Sequence, residues 1–270
     1  MIRVGVLGAG GRMGGEVCRA VAAAPDMKLV AAVDPAVAGR PLAEVAAIPG
    51  STIVVSDDLE VLTDREVDVA VDFTVAASAL ENVRWCAGHA VNVVVGTSGL
   101  SEQDLQSVGE LLEEEGGESN VFHAPNFAIG AVMMMRFARM AASWFPDAEV
   151  IEMHHASKRD SPSGTSLATV AEIVAGRAEA HDEPIAAPPS PVEMVPGARG
   201  AEKDGVHVHS IRLPGLVAHQ EVIFGGPGQT LIIRHDTTDR AAFMPGVLLA
   251  IRAIPEHFGL TIGLEALLGL

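Results

Sequence analysis

Ile2-Arg3-Val4-Gly5-Val6-Leu7 runs straight into Gly8-Ala9-Gly10-Gly11-Arg12-Met13-Gly14, and a stretch of helical periodicity, Met13 to Ala23, follows at once. An apolar, β-branched run that ends in glycines and reopens as a helix restricts the chain to strand, turn and helix, with the next strand lying parallel to the first. The same grammar recurs at Leu29 to Val33, Val67 to Phe73 and Val91 to Val95, with a helix expected over Ser101 to Glu115. Ser101, with Asp104 three residues on, supplies that helix with a cap. The first half therefore predicts βαβ units around a parallel sheet.

Glycine spacing narrows what the first turn does. A GxGxxG pattern would put its last glycine on Met13; the pattern present is GxxGxxG on Gly8, Gly11 and Gly14. Backbone N–H groups at a helix start reached through such a turn can hold a pyrophosphate. The second strand ends in Asp34, where a carboxylate can bond the adenine-ribose hydroxyls. A tight turn with Asp34 as a simple cap is the alternative; a nicotinamide dinucleotide site over Gly8, Ala9, Gly10, Gly11, Arg12, Met13 and Asp34 is the expectation. Asp34 followed by Pro35 suits NADH, whereas Arg12 in the loop suits NADPH, so NADH is the first choice and NADPH the second. Two later strands run into Gly96-Thr97-Ser98-Gly99 and His123-Ala124-Pro125-Asn126-Phe127. Loops at the carboxyl ends of parallel strands border the ligand crevice, which adds Gly96, Thr97, Ser98, Ala124, Pro125, Asn126 and Phe127 to the cofactor candidates.

The pattern changes from Gly130. Ala131 to Ser143 and Thr165 to Ala180 read as helices, Ala148 to Met153 as a strand, and Glu183 to Pro196 as a proline-rich break. Val206 to Leu213, Ala218 to Phe224 and Gln229 to His235 follow, separated by turns at Pro214-Gly215 and Gly225 to Gly228, and predict an antiparallel meander. A last helix spans Ala242 to Ile254, with Pro245 near its start. The expected domains are 1–127 with 236–270, and 128–235 between them.

Most of the candidate chemistry lies in Glu152-Met-His-His-Ala-Ser-Lys-Arg-Asp-Ser-Pro-Ser-Gly-Thr-Ser166. If a strand runs into it, His154 and His155 point apart, which disfavours a shared metal ion, and no HExxH spacing is present. His207 and His209, two apart on one strand, form the other conceivable metal pair; a half-exposed strand face is the plainer reading, and no metal is expected. His154 and Lys158 suit acid–base work, since histidine titrates near neutrality and a lysine beside another cation gives up its proton more readily. Ser161-Pro162-Ser163-Gly164-Thr165 leads into a helix, and hydroxyls plus N–H groups at a helix start make a cradle for a carboxylate or phosphate. A solvated polar loop is the bland alternative.

The formal net charge of −17, with no Lys/Arg run, disfavours nucleic-acid and anionic-membrane partners. With 49% hydrophobic and 20% charged residues the chain is expected to fold rather than stay disordered. Only Cys18 and Cys86 occur, without CxxC spacing, and strand pattern begins at the first residues, so a reduced, soluble cytoplasmic protein without a signal peptide is expected.

Together these segments resemble the 4-hydroxy-tetrahydrodipicolinate reductase (dihydrodipicolinate reductase) family over essentially the whole chain. The resemblance rests on Gly8 to Gly14, Gly96-Thr97-Ser98-Gly99, Ala124-Pro125-Asn126-Phe127, Gly215 to Val222 and the run beginning at Glu152. Glu152 precedes His154 by two residues and His155 by three, so it does not decide which histidine is which. The spacing His-x-x-x-Lys-x-Asp-x-Pro-Ser-Gly-Thr does, on His154, Lys158, Asp160, Pro162, Ser163, Gly164 and Thr165. The resemblance implies that His154 and Lys158 donate protons, and that His155, Lys158, Ser163, Gly164 and Thr165 bind substrate carboxylates. It implies an α/β fold: a Rossmann dinucleotide-binding domain completed by the C-terminal helix, and an inserted α+β domain whose open mixed sheet builds a homotetramer. The implied reaction passes hydride from NADH or NADPH to C4 of a cyclic dicarboxylate, with loss of its 4-hydroxyl as water and protonation at C3. Another Rossmann oxidoreductase acting on a small anion, or a dinucleotide sensor without chemistry, are the rival readings.

Overall fold

The computed structural model describes residues 1–114, 116–145, 147–180 and 192–270. In chain order its elements are β1 (Ile2–Leu7), α1 (Arg12–Ala23), β2 (Met27–Val33), α2 (Leu42–Val45), α3 (Glu60–Asp64), β3 (Val69–Asp72), α4 (Ala76–Ala87), β4 (Asn92–Val95), α5 (Glu102–Glu114) and β5 (Val121–His123). There follow α6 (Ile129–Ala142), β6 (Asp147–His154), α7 (Gly164–Ala180), β7 (Ala201–Lys203), β8 (Val206–Arg212), β9 (Ala218–Gly226), β10 (Gln229–Thr237), α8 (Met244–Ala253), β11 (Leu260–Ile262) and α9 (Glu265–Leu268). Residues Met1–Ile129 with Phe243–Leu270 form one compact unit, and Gly130–Ala242 a second.

In the first unit the described strands form a parallel sheet in the order β11-β5-β4-β3-β1-β2. Strands buried on both faces need unbroken apolar runs, and Val69, Ala70 and Val71, like Val93, Val94 and Val95, are at most 1% exposed. Helices α4 and α5 cover one face through Ala79, Val83, Cys86, Val108 and Leu112. Strand order reverses between β1 and β3, the switch point at which such sheets open a crevice. The expected capping box forms: Ser101 N–H and Oγ donate to Asp104 Oδ2 at 2.8 and 2.7 Å, and Asp104 N–H donates to Ser101 Oγ at 3.2 Å. Helix α4 and strand β11 were not anticipated, although α4 buries Ala79, Val83, Cys86 and Ala87 at helical spacing; Glu115 lies outside the described residues.

The second unit holds a mixed sheet in the order β10-β9-β6-β8-β7. Here the expected antiparallel meander is wrong. β9 and β10 do form a hairpin, but β6 lies between β8 and β9, parallel to β8 and antiparallel to β9. The Pro214-Gly215 turn is therefore no hairpin; it carries the chain over the end of β6, where Leu213 N–H donates to the His154 carbonyl at 3.1 Å. Turn residues mark where a strand ends, not which strand becomes its neighbour. Most of the proline-rich stretch, its residues 183–191, lies outside the described residues.

Helices α6 and α7 cover one face of this sheet, packing Ala138, Ala142, Val170 and Ile173 on Val150, Val208, Val222 and Phe224. Strand alternation puts Glu152, His154, Ser210, Arg212 and Gln220 on that same face, one or two positions further along. The two helices approach closely at Gly176, where a Cβ would lie 2.0 Å from the Arg139 carbonyl oxygen. Gly176→Ala is expected to force them apart and destabilise the fold by about 1–3 kcal/mol, read as a lower midpoint in chemical denaturation; an unchanged midpoint would refute this packing.

Candidate active site

The glycine turn of the first unit is built by close approach. Gly8 has φ +78°, a conformation that favours glycine, and a Cβ there would sit 2.7 Å from the Phe73 carbonyl oxygen. A Cβ at Gly14 would lie 2.0 Å from the Gly8 carbonyl oxygen, so only glycine lets α1 start this close to the turn. Helix α1 has Gly11 at its N-cap, no side-chain cap and no acidic residue in its first turn. Its leading N–H groups and positive end are thus left for an anion. Gly10 and Arg12 are exposed, Gly8 and Met13 half-buried and Ala9 buried. Asp34 accepts from Gly10 N–H at 2.8 Å through Oδ2 and from Ala36 N–H at 3.0 Å through Oδ1, which fixes its carboxylate beside the turn. These residues fit a dinucleotide: a phosphate cradle that a Cβ would fill, and an oriented acid next to it.

The loops after β3 and β4 are tied together by a residue that the sequence reading missed. Asp72, the last residue of β3, is fully buried. Its Oδ1 accepts from Thr74 N–H (2.9 Å), Thr74 Oγ1 (2.7 Å) and Thr97 Oγ1 (2.8 Å), and its Oδ2 from Asn82 Nδ2 (2.6 Å). Thr97, 3% exposed, also accepts from Thr74 N–H at 2.9 Å, so its hydroxyl is committed to holding the loop. Gly96 passes under the Phe73 ring, whose nearest atom would be 2.2 Å from a Cβ. Phe127 is buried against Phe73 and Phe122, with ring centroids at 5.9 and 6.1 Å, and Ala124 is buried as well. Ser98 and Pro125 are exposed and Asn126 is half-buried, its Oδ1 accepting from Ala128 N–H at 2.9 Å. Among the cofactor candidates, Thr97, Ala124 and Phe127 thus shape the crevice while Gly96, Ser98, Pro125 and Asn126 line its loops.

In the second unit, Glu152 is fully buried and accepts from Arg212 through both guanidinium nitrogens, at 2.8 and 2.7 Å. It also accepts from His154 Nδ1. Burial works to raise the Glu152 pKa, but Arg212, Ser210 and His154 override it and hold the carboxyl below its usual range. Burial, with Lys158 and Arg212, pushes the His154 pKa down against the opposing pull of Glu152. A carboxylate acceptor puts the Nδ1 proton on the Glu152 side, leaving Nε2 to exchange protons with a ligand.

Lys158 donates to both oxygens of Asp160, at 2.8 and 2.7 Å, and this bond is the chief reason the Asp160 pKa lies low. Arg212 also donates to the Asp160 carbonyl oxygen at 2.8 Å. His155 leaves the strand and pairs through Nδ1 with Ser157 Oγ at 2.9 Å, so the two histidines have different partners. Gly164 is exposed and Thr165 half-buried in the first turn of α7, whereas Ser163 is 3% exposed and caps that helix, accepting from Ser166 N–H at 3.2 Å. Among the described residues no group of three or more His, Cys, Asp or Glu is placed to hold a metal; His209 bonds Glu149 at 2.8 Å through Nε2.

Arg212 and Gln220 were invisible to the motif because they arrive from other strands. A signal was present, since Gln220 shares strand parity with the buried Val222 and Phe224, as Glu152 does with Val150. A polar residue on an apolar face marks a built interior site.

Models of the N- and C-terminal parts of dihydrodipicolinate reductase match residues 2–127 and 130–268. The chain belongs to the dihydrodipicolinate reductase family. It is 48% identical to the 4-hydroxy-tetrahydrodipicolinate reductase of Moorella thermoacetica over 99% of this chain and 98% of the relative. It is 46% identical to that of Desulfitobacterium hafniense, over 98% and 97%. Among solved structures, the dipicolinate-bound dihydrodipicolinate reductase of Paenisporosarcina sp. TG-14 aligns with a TM-score of 0.84 at 41% identity, over 98% and 99% of the two chains. The protein is thus an oxidoreductase of a family that uses NADH or NADPH, and its parallel sheet is the Rossmann sheet of that family.

His154 should titrate below the usual imidazole value of about 6.5 in NMR spectra of the ligand-free reductase. Glu152→Gln, which removes the charge that favours imidazolium, should move the midpoint lower still. A midpoint at or above that of an exposed histidine would contradict the environment described for the ring.

Proposed function

We propose that this protein reduces 4-hydroxy-tetrahydrodipicolinate to tetrahydrodipicolinate, with loss of water, in lysine and diaminopimelate biosynthesis. One observation carries the reading: within Glu152 to Ser166 the second unit gathers an imidazole backed by a buried carboxylate, an ammonium and the start of a 17-residue helix. These are the groups that a cyclic dicarboxylate needing a proton would require. The dinucleotide, held by Gly8 to Met13 and Asp34, supplies hydride when bound.

His155, Lys158 and the Gly164-Thr165 turn bind the two substrate carboxylates, with Ser163 beneath them. Lys158 reaches substrate by sharing or exchanging its bond to Asp160. At rest Glu152 and Arg212 cancel, Lys158 and Asp160 cancel, and the low pKa of His154 leaves the ring neutral near pH 7. Two arriving carboxylates raise that pKa, so the dianion itself charges the proton donor, and the ring then delivers the Nε2 proton to carbon. Lys158 serves as the second donor. The geometry sets no preference between NADH and NADPH: Asp34 is ordered as a ribose acceptor would be, and Arg12 is exposed at the start of α1.

The family resemblance and the sheet of the second unit support a homotetramer. One sheet face is covered by α6 and α7, while the other presents Ile151, Met153, Ile211, Ile223 and Ile232, the last 54% exposed. These apolar side chains, set among Glu149, His209, Glu221 and Arg234 on the same face, offer a mixed surface that a second copy can match. Both cysteines are buried thiols pushed up to about 12 by burial. No helix of the described residues is long and apolar enough to cross a membrane; a cytoplasmic location is proposed from the biosynthetic role.

The deciding assay generates substrate from pyruvate and aspartate semialdehyde with the preceding synthase and follows NADH and NADPH oxidation. Turnover with at least one cofactor is expected, and Lys158→Ala should lower it by about 10²–10⁴-fold with NADH affinity nearly unchanged. Cofactor binding without turnover would leave the sensor reading in place. Sedimentation velocity should give a tetramer and Ile232→Arg smaller species; a monomeric wild type would refute the assembly.

A further inference from the structure

Gln220 is a buried polar group that the proposed chemistry leaves unused. It sits in β9 opposite Glu152 of β6, 5% exposed, on the helix-covered face of the sheet. Its Oε1 accepts from Ser166 Oγ at 2.8 Å and its Nε2 donates to Thr169 Oγ1 at 2.6 Å. Ser166 and Thr169 are fully buried, so no water competes for these bonds.

Proton directions follow from counting hydrogens. Thr169 spends its one hydroxyl proton on the Thr165 carbonyl oxygen at 2.8 Å, so toward Gln220 it can only accept. That fixes the amide: Nε2 faces Thr169 and Oε1 faces Ser166. Ser166 in turn spends its proton on Oε1, so the 2.7 Å contact between the Ser163 and Ser166 hydroxyls must carry the proton of Ser163. The Ser163 proton therefore points into the protein, while its oxygen caps α7 by accepting from Ser166 N–H. The amide on β9, itself oriented by Thr169, sets the proton directions of the Ser166 and Ser163 hydroxyls under the first turn of the helix.

We propose that Gln220 is a positioning residue for the substrate-anion site: it locks the Ser163-Gly164-Thr165 turn through Ser166 and Thr169, and Ser163 acts as its relay and not as a direct ligand. This rests on the substrate reading given above. N–H groups at a helix start hold an anion only while the first turn keeps its geometry, and a first turn loosened from its cap frays. Glu152 orients the proton donor from the same sheet face, so the two neighbouring polar residues divide the work, one holding the acid and the other the anion site.

The test uses full-length protein and dipicolinate, the planar dicarboxylate in the solved relative, as the calorimetric probe. Gln220→Leu removes both bonds at similar size; Ser166→Ala cuts only the relay and keeps the Gln220–Thr169 bond, so it serves if the first variant fails to fold. Each is expected to weaken dipicolinate about tenfold and to raise the substrate KM by a similar factor. Turnover should change less than about threefold and NADH affinity less than about twofold. A folded variant that binds dipicolinate as tightly as wild type, or that loses dipicolinate and NADH affinity alike, overturns the proposal. Wild-type protein that binds NADH but not dipicolinate overturns the substrate reading and the proposal with it.

Discussion

Glu152 and Arg212 face each other from neighbouring parallel strands through two bonds, with the carboxylate wholly removed from water. Withdrawing such a charge costs several kcal/mol, offset only when the partner geometry is good and the remaining lone pairs are used. Both conditions hold, because Arg212 binds in the bidentate mode and His154 takes the remaining capacity. The same guanidinium donates to the Asp160 carbonyl, and the Asp160 side chain holds Lys158. Both candidate proton donors are therefore positioned, directly or at one remove, by a single ion pair. A chain that lost Arg212 would keep Glu152 as a buried charge without its cation, a cost of about 3–5 kcal/mol.

The first unit solves a similar problem without a cation. Asp72 ends β3 at the switch point and, among the described residues, has no Lys or Arg ion-pair partner; four neutral donors satisfy it. A carboxylate given enough hydrogen bonds remains stable in the interior. These donors come from the turn after β3, the turn after β4 and the body of α4, so the acid sets the spacing of the loops that border the crevice. The glycines beside it act by subtraction: Gly8, Gly14 and Gly96 let backbone and ring come closer than any Cβ would allow.

The parallel sheet of the first unit was legible because its inner strands, β3 and β4 above all, are buried on both faces and read as unbroken apolar runs, whereas the half-exposed edge strand β11 gave no such signal. Turn and cap chemistry was equally local: the Ser101–Asp104 box and the glycine turn formed as their spacing required. Pairing across the second sheet was not legible, since β6, β8 and β9 look alike whichever of them is central. The motif residues were found because they lie within one short run. Their supports were missed because Arg212 and Gln220 join that run only after β6 has taken its place between β8 and β9. Residues that do the chemistry can cluster in sequence, whereas those that hold them in position are set by topology.

That division also explains how a strongly acidic chain can bind a dianion. The net charge of −17 is carried over the surface and screened within about a Debye length, whereas the second unit's polar row is compact and close to neutral at rest. Under the proposed reading the relevant quantity is the local response. His154 begins uncharged because burial and two nearby cations disfavour the imidazolium, yet Glu152 stands bonded to the ring and ready to stabilise it. An arriving dicarboxylate then shifts the balance toward the imidazolium. A donor with a permanently high pKa would be charged but reluctant to release its proton, and one without Glu152 would charge less readily; pairing burial with a fixed carboxylate places the ring between those limits.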